Sequence, residues 1–153
     1  MEDYEEKLKK FMQESNVQGE HLHFEGSVHT VEDACMEAKA QPDDLIKTIC
    51  MMTNEGKVIG ALVLGSDRVS TESVAKALKI ERPHIATSEE AERMGYLLGG
   101  MPPFGYEAIF LIDPKIMEKN TVYVGGGTPN ALVRITTKEI QRVNQGMVVR
   151  IRK

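Results

Sequence analysis

Two short apolar runs, Leu45 to Thr53 and Val58 to Leu64, stand either side of Asn54-Glu55-Gly56-Lys57. A four-residue polar segment containing glycine between two such runs is a hairpin signal, so this chain must build at least one antiparallel strand pair. The first run carries a single charge, Lys47, within Leu45-Ile46-Lys47-Thr48-Ile49-Cys50-Met51-Met52. Alternation along a strand puts residues 45, 47, 49 and 51 on one face, so the ammonium lies among apolar neighbours. It either reaches the sheet edge, as an ordinary snorkelling lysine does, or stays partly desolvated and needs an anionic or carbonyl partner.

The remaining pattern is irregular. Tyr4, Leu8, Phe11 and Met12 fall at helical spacing and predict a surface helix over residues 2 to about 15. A short strand is expected at Leu22 to Phe24, then a helix over Val31 to Ala40 with Glu32 and Asp33 in its first turn and Pro42 ending it. A further helix is expected from about Ser70, burying Val74, Ala75 and Leu78, and a capping box at Thr87-Ser88-Glu89-Glu90 opens another. Strands are expected at His84 to Ala86, Glu107 to Ile112, Thr121 to Val124, Ala131 to Ile135 and Met147 to Ile151. Asp113-Pro114 stops the second of these, and Thr136-Thr137-Lys138-Glu139 caps a last short helix. Strands joined by short turns argue against strict βαβ alternation. The expected fold class is α/β (α+β): a single domain whose curled, mixed, largely antiparallel sheet, or barrel, carries peripheral helices.

Composition narrows the function classes. The chain has 153 residues and a net charge of −4, with a sequence pI near 5.6. That balance argues against gripping a nucleic acid through a broad basic sheath, and DNA is not an expected partner. A local pocket for one end of a nucleic acid stays open. Cys35 and Cys50 have neither CxxC spacing nor a histidine partner pattern, and His21-x-His23 has no third ligand, so no metal site is expected. No signal peptide and no membrane-length apolar run is visible, so the expectation is a cytoplasmic domain without a membrane partner.

Three loops are over-endowed with glycine and proline: Gly65-Ser66-Asp67-Arg68, Gly99-Gly100-Met101-Pro102-Pro103-Phe104-Gly105 and Gly125-Gly126-Gly127-Thr128-Pro129-Asn130. Consecutive glycines can turn backbone N–H groups inward to form an anion nest. The last loop is neither a Walker loop nor a dinucleotide fingerprint, because no Lys-Ser/Thr follows it and a strand comes where a helix should. His29-Thr30, just ahead of the second helix, supplies a candidate proton carrier or hydrogen-bond donor.

In the order His29-Thr30-Val31-Glu32-Asp33-Ala34, Ile46-Lys47-Thr48, Gly65 to Val69, Gly99 to Gly105 and Gly125 to Asn130, these stretches resemble the YbaK family. That is the superfamily of the editing domain inserted in bacterial prolyl-tRNA synthetases. The resemblance runs from about Leu22 to about Gln145, so residues 1–20 read as an N-terminal helical extension and 21–153 as the editing-like domain. It implies hydrolysis of the ester joining a wrong, small amino acid to tRNA, without metal or cofactor. The implied partners are the 3′ terminal adenosine of aminoacyl-tRNA and, as a further candidate, an aminoacyl-tRNA synthetase. The family's strand lysine maps to Lys47 and its GxxxP loop to Gly125 through Pro129. Where some relatives carry a histidine in or just after that loop, this chain has Asn130, Ala131 and Leu132.

The resemblance therefore implies Lys47 as the catalytic residue. Substrate-binding positions are Gly125, Gly126, Gly127, Thr128, Pro129, His29, Thr48, Asp67, Arg68, Gly100, Pro103, Phe104 and Gly105. Lys47 is cast as a fixed cation ahead of a general base, and the loop amides as donors to the carbonyl and terminal ribose. The competing reading is a non-catalytic module of the same fold that binds a tRNA end or a synthetase.

Overall fold

The computed structural model describes residues 3–153; Glu2, the first position of the expected N-terminal helix, lies outside them. That helix, α1 (Tyr4–Glu14), starts where the Asp3 side chain accepts the Glu6 N–H. Its apolar stripe turns inward, with Leu8 and Met12 buried and Phe11 stacked on Phe104 at 5.8 Å between ring centroids. β1 (Gly19–His23) follows, then α2 (Val31–Ala38), capped by the Thr30 hydroxyl accepting from Asp33 N–H and ended by Lys39 in the left-handed region. Pro42 opens a one-turn 3-10 segment, Pro42–Asp44, that leads into the hairpin.

The hairpin forms as its sequence demands. β2 (Ile46–Met52) pairs antiparallel with β3 (Val58–Leu64), in register from Ile46 opposite Leu64 to Met52 opposite Val58. Its two faces serve two cores. Ile46, Cys50, Leu62 and Leu64 join a large cluster with Leu8, Met12, Phe104 and Ile112. Met51, Ile59, Ala61 and Val63 pack with Val74, Leu111 and Ile151. β3 is almost wholly buried because helices and strands cover both its faces, which is why its sequence is a continuous apolar run.

The rest comprises α3 (Thr71–Leu78), β4 (His84–Ile85), α4 (Ser88–Met94), β5 (Ile109–Ile112), α5 (Pro114–Met117), β6 (Thr121–Gly125), β7 (Ala131–Thr136), α6 (Thr137–Asn144) and β8 (Met147–Val148). The eight strands form two sheets, ordered β1-β7-β6 and β4-β2-β3-β5-β8. Pairing is antiparallel except for β3 with β5 and β5 with β8. The single domain and the mixed, largely antiparallel pairing are as expected, but the barrel alternative is not what forms. Closure needs continuous pairing around the ring, and the sheets share one isolated parallel bridge, Leu45 with Tyr123.

Two further differences centre on Asp113. It caps the short helix α5 by accepting from Lys115 N–H, an element absent from the sequence reading. Its buried carboxylate also accepts from the Ile151 and Arg152 backbone N–H groups and from the Arg152 guanidinium at 2.7 Å. The last residues are thus held by the Asp113 side chain and by an antiparallel bridge of Arg152 with Val69, and β8 stops at Val148 instead of reaching Ile151.

Candidate functional site

The site arises where β2 runs out of neighbours. β4 pairs only with Met51 and Met52, and β6 is bridged only at Leu45, the residue ahead of β2. Between those points one edge of β2 is open. Leu45 C=O accepts from Gly65 on the β3 side, whereas Cys50 C=O accepts from Ala86 on the opposite side. Alternation therefore turns the N–H and C=O of Thr48 toward the open edge. A cavity of about 220 Å³ lies there, walled by residues 45–50, residues 28–31 with Ala34 ahead of and within α2, Leu98-Gly99, Met101, Gly125 and Leu132. Ile85 and Ala86 complete it. No carboxylate is among these walls, so the polar side chains it offers are His29, Thr30, Lys47, Thr48 and Cys50.

Lys47 is half-buried, and its Nζ donates to the main-chain carbonyl of Asp67 at 2.5 Å. Burial pushes the pKa of Lys47 down; the Asp67 carboxylate opposes that shift and the Arg68 guanidinium adds to it. An ammonium has three N–H donors, so two remain for a ligand after the Asp67 bond. Cys50 is no rival nucleophile: burial raises its thiol to about 11, only partly offset by the Tyr106 hydroxyl at 3.5 Å.

The glycine loop after β6 reaches the same cavity through Gly125. A Cβ there would meet the Met101 carbonyl oxygen at 2.2 Å, so this close approach of two loops requires glycine. Gly127 is at φ +104°, and a Cβ on it would lie 2.9 Å from the Tyr4 carbonyl oxygen of α1. The loop's amides are less free than an open nest would need. Gly126 N–H donates to Ala131 C=O and Gly127 N–H to Gly100 C=O. The Thr128 hydroxyl donates to Glu5 at 2.8 Å and accepts from Asn130 N–H. Pro129 C=O takes the Val28 N–H.

Of the residues singled out in the sequence, Lys47, Thr48, His29 and Gly125 meet at the cavity. Asp67 joins through its bond to Lys47. Gly126, Gly127, Thr128, Pro129 and Gly100 shape the loop behind it. Arg68 is exposed, and its carbonyl accepts from Lys153 N–H. Pro103, Phe104 and Gly105 lie off the cavity: Pro103 C=O takes the Asn144 amide, Phe104 is core, and Gly105 packs on Tyr96. The sequence reading missed Glu5, which holds Thr128, and His21, whose Nε2–H donates to Gly126 C=O at 2.9 Å. The signal for His21 was its alternation with His23 on a strand, which a search for metal ligands cannot interpret. Among the described residues no three His, Cys, Asp or Glu side chains gather as a metal-binding group.

Residues 25–143 match the family model of the aminoacyl-tRNA editing domain. The chain belongs to that family. Outside the family model, this editing domain is 25% identical over 122 residues to a proline–tRNA ligase of Persephonella marina, covering 80% of this chain and 22% of the ligase. It thus spans about a fifth of that relative. Its fold is that of a crystal structure described as a candidate trans-editing enzyme for prolyl-tRNA synthetase, at TM-score 0.91 and 21% identity, covering 100% of this chain and 99% of the other. A hypothetical protein, APE2540, shares the fold at TM-score 0.87 and 21% identity, over 96% and 99% of the two chains. The editing-domain match begins at residue 25, downstream of α1 and β1, although α1 packs into the main core and β1 pairs along β7. No helix among the described residues is long and apolar enough to cross a membrane.

Proposed function

We propose that this chain is a deacylase that hydrolyses the ester of a mischarged aminoacyl-tRNA carrying a small amino acid. The observation that carries this reading is Lys47, a half-buried ammonium with spare donors, on the wall of a small, mainly apolar cavity that Gly125 also lines. Membership of the editing-domain family and likeness to a proline–tRNA ligase support it. The cavity volume falls below that of typical drug-sized sites, which suits a small aminoacyl group with the rest of the tRNA end outside.

In this reading Lys47 grips the ester carbonyl or the terminal phosphate as a fixed cation, stabilising charge as it develops. Main-chain groups of Thr48 and Gly125 are placed to orient the aminoacyl end, and holding it still supplies much of the rate. With no carboxylate on the cavity wall to serve as base, a ribose hydroxyl of the substrate orients the attacking water. The bond broken is the ester C–O; the products are the free amino acid and the tRNA with its hydroxyl restored. An apolar pocket separates side chains one methylene apart by about 1–3 kcal/mol, enough for a second sieve acting on an already selected pool. Alanine, cysteine and serine fit on size.

The test is deacylation of alanyl-, cysteinyl- and seryl-tRNA by wild type and Lys47→Ala. Turnover of at least one, largely lost in the variant, supports the reading. Survival of every charged tRNA at enzyme excess sinks it and leaves a non-catalytic binding module of the same fold.

A further inference from the structure

The glycine loop is gripped from outside the cavity by the first turn of the molecule. The Glu5 carboxylate accepts the Thr128 hydroxyl at 2.8 Å and the His23 ring nitrogen at 2.9 Å. Glu5 lies in the first turn of α1 and is only 16% exposed. Because a carboxylate only accepts, the Thr128 hydroxyl must donate to it, which leaves the hydroxyl's lone pairs for Asn130 N–H. Both capacities of that hydroxyl are therefore spent on loop shape. Beside this contact Gly127 abuts the Tyr4 carbonyl, and His21 from β1 holds Gly126 C=O. Three residues of two elements before residue 25, Tyr4 and Glu5 of α1 and His21 of β1, thus converge on three consecutive loop residues, while the other side of the same loop presents Gly125 to the cavity.

We infer that Glu5 is a positioning residue for the editing reaction: shared between Thr128 and His23, its carboxylate sets the conformation of the loop that carries Gly125. It touches neither substrate nor reacting atoms. The inference rests on the deacylase reading for its kinetic consequence, but not for its structural one. Truncating Glu5 to alanine leaves the buried face of α1, Leu8 and Met12, in place, so loop shape is disturbed without removing the helix.

The experiment compares wild type, Glu5→Ala, Glu5→Gln and the surface control Glu14→Ala. It measures steady-state deacylation of the aminoacyl-tRNA panel and amide hydrogen exchange by NMR. Glu5→Ala is expected to lower kcat on the order of 10- to 100-fold with KM within about twofold. It should also speed exchange of the Gly127 amide, bonded to Gly100, without speeding that of Met12. Glu5→Gln keeps an acceptor for Thr128 and should recover most of both. An unchanged kcat in Glu5→Ala, or Met12 exchange rising in step with Gly127, overturns the inference and reduces Glu5 to a stability contact. If wild type turns over none of the panel, the proposed function fails by itself. The Gly127-to-Met12 exchange ratio then still decides whether Glu5 sets the loop.

Discussion

Leu45 and Tyr123 form the one bridge between the two sheets among the described residues, and the candidate site begins at Leu45 itself. The chain enters β2 beside β6 at that bridge; beyond it the two strands are no longer paired, and the cavity is lined by Leu45 to Cys50 on one side and Gly125 on the other. The site is therefore an interruption in pairing, and its polar wall is partly main chain.

Lys47→Met keeps the length and apolar stem of the side chain while removing the ammonium. Turnover should fall on the order of 10²-fold, while thermal stability stays level or rises, because a partly buried cation is replaced by a hydrophobe. Deacylation and melting measured on one preparation check both halves. The pH profile separates the roles. A fixed cation must be protonated, so activity above the buffer background should fall as pH rises through the Lys47 pKa, which burial has moved below its ordinary value. A base would give the opposite slope.

Gly125→Ala would place a methyl 2.2 Å from the Met101 carbonyl oxygen. The two loops must separate, at a cost of about 1–3 kcal/mol. Turnover is expected to drop far more than stability, read as a large loss in kcat/KM beside a fall of a few degrees in Tm. A variant that keeps full activity would show that the approach of these loops does not matter to the reaction.

Asp113→Asn tests the C-terminal anchor. Burial raises the Asp113 pKa, but the N–H groups of Ile151, Lys115 and Arg152, with the Arg152 guanidinium, outweigh it and leave the carboxyl below its ordinary value. The amide can accept at only one atom and leaves Arg152 without its anion, so a loss of about 2–4 kcal/mol is expected. Urea unfolding at pH 7 measures it.

Glu139 provides a pH-dependent case. Its carboxylate accepts from Arg142 at 2.7 Å and from the Gln18 N–H at 2.6 Å, and hydrogen bonding to Arg142 foremost brings its pKa to about 2. A carboxyl held below its unfolded value stabilises the fold above that value, and the contribution fades as pH falls toward 2. Glu139→Gln should therefore lower Tm at pH 7 and approach wild type as the pH drops from about 4.5 toward 2. Parallel melts across that range check it, and a difference independent of pH would assign the effect to shape instead.

Much of this was legible in the chain. The hairpin, the caps at Thr87 and Thr136, and Lys47 on a half-buried strand follow from local pattern, since alternation and capping are short-range effects. What could not be read is long-range. Asp113 beside Pro114 reads as a strand stop; that its carboxylate would catch residues 151 and 152 depends on packing. Pro103 and Phe104 read as a ligand loop because proline, glycine and an aromatic look alike in a binding turn and a core plug. Glu5 is one of many acids on a charged helix, and only the fold brings it to Thr128, 123 positions later.

The placement of β1 bears on how this domain can be cut. A fragment trimmed to the family match would start at residue 25 and lose the whole of β1, whose five residues pair with Ala131 through Ile135. β7 would then present a bare edge of unpaired N–H and C=O groups, a template for another chain. Such a fragment should associate edge to edge, so the smallest piece that keeps β7 covered has to begin upstream of β1.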